Sequence, residues 1–125
     1  MMGTRRQAKA EAAKDPLYEL CLSLPGVTED VKWGDNLVFS VGKKMFAVFH
    51  LPDGEPLSFK ADPETFSVLV QQPGVRPAPY LARHCWVGLD SRQTMPTEAL
   101  TDLLREAHAL VAAKLPRKVR QSLGI

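Results

Sequence analysis

The chain has 125 residues, 45% of them hydrophobic, with 16 Lys and Arg against 14 Asp and Glu; this is one globular domain, of a size that buries roughly two-thirds of its unfolded surface and needs no disulfide or metal staple. The net charge of +2 excludes the strongly basic proteins that hold DNA mainly by charge. No apolar run approaches the ~18 residues of a helical membrane span, so no membrane partner is expected.

Residues 1–14 form an N-terminal extension, Ala-rich in its second half, that either lengthens the first helix or frays. They lack the apolar stretch of a secretory signal, so a cytoplasmic protein is expected. The domain proper runs over 15–125. Asp15 followed by Pro16 is a helix start, and Leu17, Leu20, Cys21 and Leu24 make an i, i+3, i+4, i+7 stripe that Pro25-Gly26 ends. Leu37–Val41, Gly42-Lys43 and Met45–Phe49 read as a β-hairpin turning at the glycine. The second strand is apolar at almost every position, which suits a central strand covered on both faces, or one covered on a single face and used for binding on the other.

Pro52–Glu55 reads as a turn, and Leu57-Ser58-Phe59-Lys60 alternates as a half-buried strand. Asp62-Pro63-Glu64 opens a helix running to about Gln72, which Pro73-Gly74 stops. Val75–Ala82, carrying Pro77 and Pro79, reads as a stiff extended loop, and His84–Leu89 as a strand. Cys21 on a helix and Cys85 on a strand are expected to be reduced thiols. Pro96–Leu115 carries the strongest helical stripe, Pro116 breaks it, and Arg117–Leu123 forms a short basic helix. The order predicts an α+β fold with an antiparallel sheet.

The charge is unevenly spread. Residues 1–14 hold four basic groups and one acid, residues 114–125 hold four basic groups and no acid, and the interval between has 8 basic and 13 acidic residues. No acid lies between Glu64 and Asp90, a window that contains Arg76 and Arg83. Charge alone does not say whether these stretches meet on one face.

Catalytic constellations are missing from the sequence. Gly34 and Gly42-Lys43 are too far apart for a phosphate loop, and Lys44 follows where Ser or Thr is needed. His50, His84, His108 and the cysteines have no metal-ligand spacing, and no serine lies in a G-x-S-x-G elbow. A non-enzymatic protein without cofactor or metal is expected. Glu11, Asp15 and Glu19, at i, i+4, i+8, read as a solvated helix face, since Lys14 interrupts them and Asp15 serves as the cap.

What remains is a basic and aromatic set. Alternation along the strand from His84 to Asp90 puts His84, Trp86 and Asp90 opposite Cys85, Val87 and Leu89, on the side where Ser58 and Lys60 also face. Lys60, His84 and Trp86, with Arg76, Tyr80 and Arg83 from the loop, are the residue types of a nucleic-acid surface, rings stacking on bases and cations neutralising phosphates. The other reading of Trp86 is a core residue covered by the proline-rich loop or a helix. Lys114, Arg117, Lys118 and Arg120 have no acid beyond Glu106 to pair with, which suits either phosphate contact or a solvated face. A small-ligand or protein-interaction module, with Trp33, Tyr80 and Trp86 lining a pocket, is the alternative.

One series of motifs adds to this. Leu24-Pro25-Gly26-Val27-Thr28-Glu29, Trp33-Gly34-Asp35, Phe59-Lys60-Ala61-Asp62-Pro63, Gln72 through Leu81, Trp86-Val87 and Leu115-Pro116-Arg117-Lys118 together resemble the MmcQ/YjbR family of bacterial proteins. The resemblance spans residues 16–123. It implies a CyaY-like, frataxin-related α+β fold with an antiparallel sheet packed against helices, and DNA binding with a double-wing arrangement. It carries over no catalytic residues, and the matching positions to test first are Lys60, Arg76, Tyr80, Arg83 and Trp86.

Overall fold

Helix starts are set locally, and the chain uses one device twice. In the computed structural model, which describes residues 15–32, 36–50, 57–79 and 81–125, Asp15 Oδ1 accepts the Leu17 N–H at 3.0 Å and opens helix α1, Pro16–Ser23. Asp62 accepts from the Thr65 N–H at 2.8 Å and opens α2, Pro63–Leu69. In each case a carboxylate meets an N–H that a first turn leaves without a partner, and proline supplies a preset φ. The reading of α2 as far as Gln72 is corrected: the helix stops at Leu69 and the next residues form looser turns, with Gln71 N–H on the Val68 carbonyl and Gln72 N–H on that of Leu69.

Six strands follow one another in a wholly antiparallel sheet: β1 Val27–Lys32, β2 Asn36–Val41, β3 Lys44–His50, β4 Leu57–Lys60, β5 Val75–Pro77 and β6 Trp86–Leu89, arranged β1-β2-β3-β4-β6-β5. Helix α3, Thr97–Ala113, and helix α4, Arg117–Leu123, complete the α+β fold that the element order predicts. The β2–β3 hairpin turns on Gly42 (φ 56) and Lys43 (φ 67), two left-handed residues whose twist matches that of the flanking strands. β3 is paired on both sides and carries a bulge, since Phe39 faces Ala47 while Ser40 faces Met45, leaving Phe46 as the extra residue.

Both faces of the sheet are used. Leu37, Phe39, Val41, Phe46, Ala47, Phe49, Leu57, Phe59, Val87 and Leu89 join Leu17 and Cys21 of α1 and Leu100, Leu104, Ala107 and Val111 of α3 in the main core. On the other face Val38, Val48 and Trp86 pack with Ala78, Met45 and Leu81. Of the two readings of β3, the one with cover on both faces describes it. Trp86 is 4% exposed, so the core reading describes that ring as well, and the proline-rich loop supplies part of its cover through Ala78 and Leu81.

Three further differences from the sequence reading have physical causes. β1 is absent from that reading because its inward positions are Val27, Glu29 and Val31, and a carboxylate occupies the middle one. Glu29 is accommodated there by the Tyr18 hydroxyl, which donates to it; burial and that bond push the Tyr18 pKa up to about 12. The expected strand from His84 starts at Trp86 instead. Ala82–His84 form a 3-10 turn, closed by His84 N–H on the Leu81 carbonyl, and Cys85 is left-handed (φ 64). The expected loop from Val75 begins as an edge strand, where Pro77 is tolerated because an edge residue has no second ladder to serve. The turn at Pro52–Glu55, Trp33, Tyr80, Glu11 and the rest of residues 1–14 lie outside the described residues.

A two-pronged ion pair locks α1 to the segment before α3. Arg92 Nε lies 2.6 Å from Asp15 Oδ2 and Nη2 lies 2.9 Å from Oδ1, while Nη2 also reaches Thr97 Oγ1 at 3.1 Å. Burial pushes the Asp15 carboxyl up, but the Arg92 and Leu17 hydrogen bonds and the Arg92 charge outweigh it and hold the pKa below its ordinary value. A depressed folded-state pKa contributes stability that is present above about pH 4 and is lost as pH falls through the lowered value.

Two outcomes follow for stability. Asp15→Asn keeps a good cap but removes the charge, so it costs about 1–2 kcal/mol near neutral pH. That deficit shrinks toward about pH 3 in thermal unfolding; a deficit that stays constant with pH rules out the ion pair as its source. Trp86→Ala costs about 3 kcal/mol or more in urea unfolding, and an unchanged midpoint contradicts the burial described for that ring.

Candidate nucleic-acid interface

Strand register decides which charges meet. Val27 pairs with Val41, Val41 with Lys44, Lys60 with Trp86 and Pro77 with Val87. The start of β1, the β2–β3 turn, the end of β4, the start of β6 and the β5–β6 connection therefore all lie at one end of the sheet. The C-terminal segment is brought to the same end by packing. A Cβ on Gly42 would meet Leu115 Cδ1 at 2.7 Å, and one on Gly26 would meet Leu123 Cβ at 3.2 Å, so α4 lies across the ends of β1 and β2.

This end collects cations from four separated stretches of sequence. Lys43 and Lys44 are exposed on the hairpin turn, Arg83 and His84 on the 3-10 turn, and Lys114, Arg117 and Lys118 around the start of α4. Lys60 is half-buried and its Nζ donates to the His84 carbonyl at 2.9 Å, which ties the end of β4 to that turn. Arg120 is half-buried, and its Nε has no hydrogen-bond partner among the described residues. The described acids at this end are Asp62 and Glu64, at the start of α2. Asp15, Asp90 and Glu98 lie at the opposite end, at the starts of α1 and α3 and just after β6.

Of the residues singled out in the sequence, Lys60, Arg83, His84, Arg117, Lys118 and Arg120 thus come together. Arg76 does not join them. It sits midway along β5 opposite Gly88, and its Nε is 3.2 Å from Asp90 Oδ1, drawing the guanidinium toward the acidic end; both side chains are well exposed, so the pairing itself contributes little stability. Trp86 starts β6 at the basic end, but its ring packs with Val38, Val48 and Ala78. Tyr80 falls outside the described residues. Lys43 and Lys44 escape the sequence reading, in which Gly42-Lys43 is only a turn; the available signal is two adjacent lysines closing an otherwise apolar hairpin.

Other chemistry has little foothold. Cys21 and Cys85 are free, and burial, aided by the Asp15 charge, pushes the Cys21 thiol up to about 12, so it stays protonated at neutral pH. Among the described residues no three His, Cys, Asp or Glu side chains converge as metal ligands. His50 joins Asn36 Oδ1 at 3.1 Å to Ser58 Oγ at 2.9 Å, the same sequence of groups as nucleophile, base and orienter, but Ser58 is 4% exposed and gives a substrate no approach. A cleft of about 530 Å³ at the acidic end is lined by Asp15, Arg92, Met95 and Thr97 among others, and its principal charges are already closed on each other.

The family model described as YjbR matches residues 22–110. Among solved structures, the chain is similar to Deinococcus radiodurans protein DR2400, which carries the DUF419 domain, with 34% identity and a TM-score of 0.77 over 87% of this chain and 86% of that one. A Pseudomonas syringae protein shares 18% identity with a TM-score of 0.56 over 85% of this chain and 97% of its own, a likeness of fold alone. No match among curated proteins reaches significance. The matched segment runs from the last residues of α1 through most of α3 and takes in the whole sheet, and the chain belongs to the YjbR family.

Proposed function

We propose that this protein binds nucleic acid, DNA in the first place, in the cytoplasm and without catalysing a reaction, through the basic end of its sheet. The observation that carries the reading is the convergence of Lys43, Lys44, Lys60, Arg83, Lys114, Arg117 and Lys118 at one end of the sheet, away from the acids at the other. A near-neutral chain can then present a strongly positive surface locally, because opposite charges at the two ends cancel in the sum but not in the near field. Exposed lysines and arginines on turns and helix ends contact phosphates and carry no sequence information themselves.

The test is fluorescence anisotropy with a labelled duplex of about 20 base pairs at about 50 and 200 mM salt, where log affinity is expected to fall by about 0.9 per contacted phosphate per log unit of salt. Lys43→Glu and Lys118→Glu each weaken binding several-fold and reduce the slope by about 1 or more. Arg76→Glu, midway along β5 and paired with Asp90, changes affinity less than either. Absence of binding at the lower salt overturns the proposal, and a thermal shift with a small molecule in its place directs attention to the cleft beside Arg92.

A further inference from the structure

The sheet has two edges, and they are built differently. β5 is three residues long and ends on Pro77, and short length and proline both protect an edge from further pairing. β1 runs for six residues with neither proline nor bulge, all six paired with β2, and among the described residues no strand pairs with its outer side. Val27, Glu29 and Val31 are half-buried toward the helices, while Thr28, Asp30 and Lys32 are exposed on the other face. Across the ladder Asp30 stands beside Val38 and Lys32 beside Asn36, so neither has a charged neighbour on β2.

Geometry restricts how a second copy adds to this edge. Every second residue of an edge strand turns its N–H and C=O outward, so two identical antiparallel strands related by a two-fold pair about a residue and not about the gap between two. An axis at Glu29, Asp30 or Lys32 sets a charge directly against its own copy, which is destabilising. An axis at Val27 or Thr28 carries the second copy past Gly26, where Leu123 of α4 already sits. An axis at Val31 meets neither obstacle. It sets Val31 against itself on the helical face and places Asp30 opposite Lys32 of the second copy, twice, on the exposed face. From this charge complementarity we infer that two copies of the chain join edge to edge through β1, about a two-fold axis at Val31, with reciprocal Asp30–Lys32 ion pairs.

Glu29 is an inward charge of the kind that guards an edge, but the Tyr18 hydroxyl already donates to it and in this register it does not face its own copy. A ladder over Asp30, Val31 and Lys32 is as long as the one that holds β5. It buries well under the about 1,000 Å² of a stable interface, so association falls toward the millimolar range. Antiparallel joining also turns the second copy end for end. Val27 of each copy lies four positions from the axis, which keeps the two basic ends roughly 26 Å apart, beyond a Debye length of about 8–10 Å, so their charges do not oppose the contact.

The experiment is sedimentation equilibrium of the full chain from about 10 µM to about 1 mM at about 50 mM salt, with variants at exposed positions whose folding is checked by thermal unfolding. The mass rises with concentration toward that of a dimer and no further. Asp30→Lys and Lys32→Asp each weaken association at least about fivefold, because each turns both ion pairs into like-charge pairs. The double variant, with the two charges exchanged, returns to within about twofold of the parent, and an equimolar mixture of the single variants forms a heterodimer. A monomer mass throughout, masses beyond the dimer, a dimer indifferent to either single variant, or a double variant as weak as the singles overturns the inference. The contact does not depend on what the basic end binds, so failure of nucleic-acid binding leaves it standing.

Discussion

The pairing of β2 with β3 through two left-handed turn residues is the constraint on which the remainder depends. In a strand, a slip of one residue sends every side chain to the opposite face. With Val41 held opposite Lys44, Phe39, Ala47 and Phe49 face α1 and α3 while Val38 and Val48 face the second cluster. The bulge at Phe46 then adds one more large ring to the helical side, where it meets His108 edge-on with centroids 5.4 Å apart. His108 is itself fixed by donating from Nε2 to the Pro25 carbonyl at 2.8 Å. From one turn, therefore, the core composition, the docking of α3 and the placement of the α1–β1 junction follow.

The same register sorts charge. Antiparallel strands bring residues far apart in sequence to a common end, and here the β2–β3 turn, the β5–β6 connection and the C-terminal helix are grouped while the helix starts of α1 and α3, with their acids, fall opposite. The net charge of +2 is accordingly a poor description of the field that a ligand meets within a Debye length of about 8–10 Å. Separation of opposite charges over the length of a sheet costs little in stability, because most of these side chains are solvated and repel only weakly across water.

Much of the fold is legible in the sequence because its signals are local. The Asp-Pro caps, the Pro-Gly stops and the apolar stripe of α3 each need only a few neighbouring residues to be read. β1 is hidden by Glu29, since hydropathy registers a carboxylate as outward and cannot see the tyrosine hydroxyl waiting for it. The start of β6 is misplaced because a 3-10 turn is closed by backbone hydrogen bonds that composition does not report. For the site, the residue types are visible but their arrangement is not. Arg76 and Arg83 lie seven positions apart along one stretch and end up serving opposite ends of the sheet, a result of β5 pairing that no charge count contains.

Gly42 links two of these themes. Its positive φ makes the hairpin turn, and the space a side chain would fill is taken by the Leu115 methyls at 2.7 and 2.8 Å. The seat of Leu115 couples the hairpin tip to the entrance of α4, so lysines separated by some seventy positions in the chain share one mechanical anchor. Evolutionary drift at that glycine would displace charges it does not carry, and a library of surface substitutions would find position 42 sensitive although the residue has no side chain of its own.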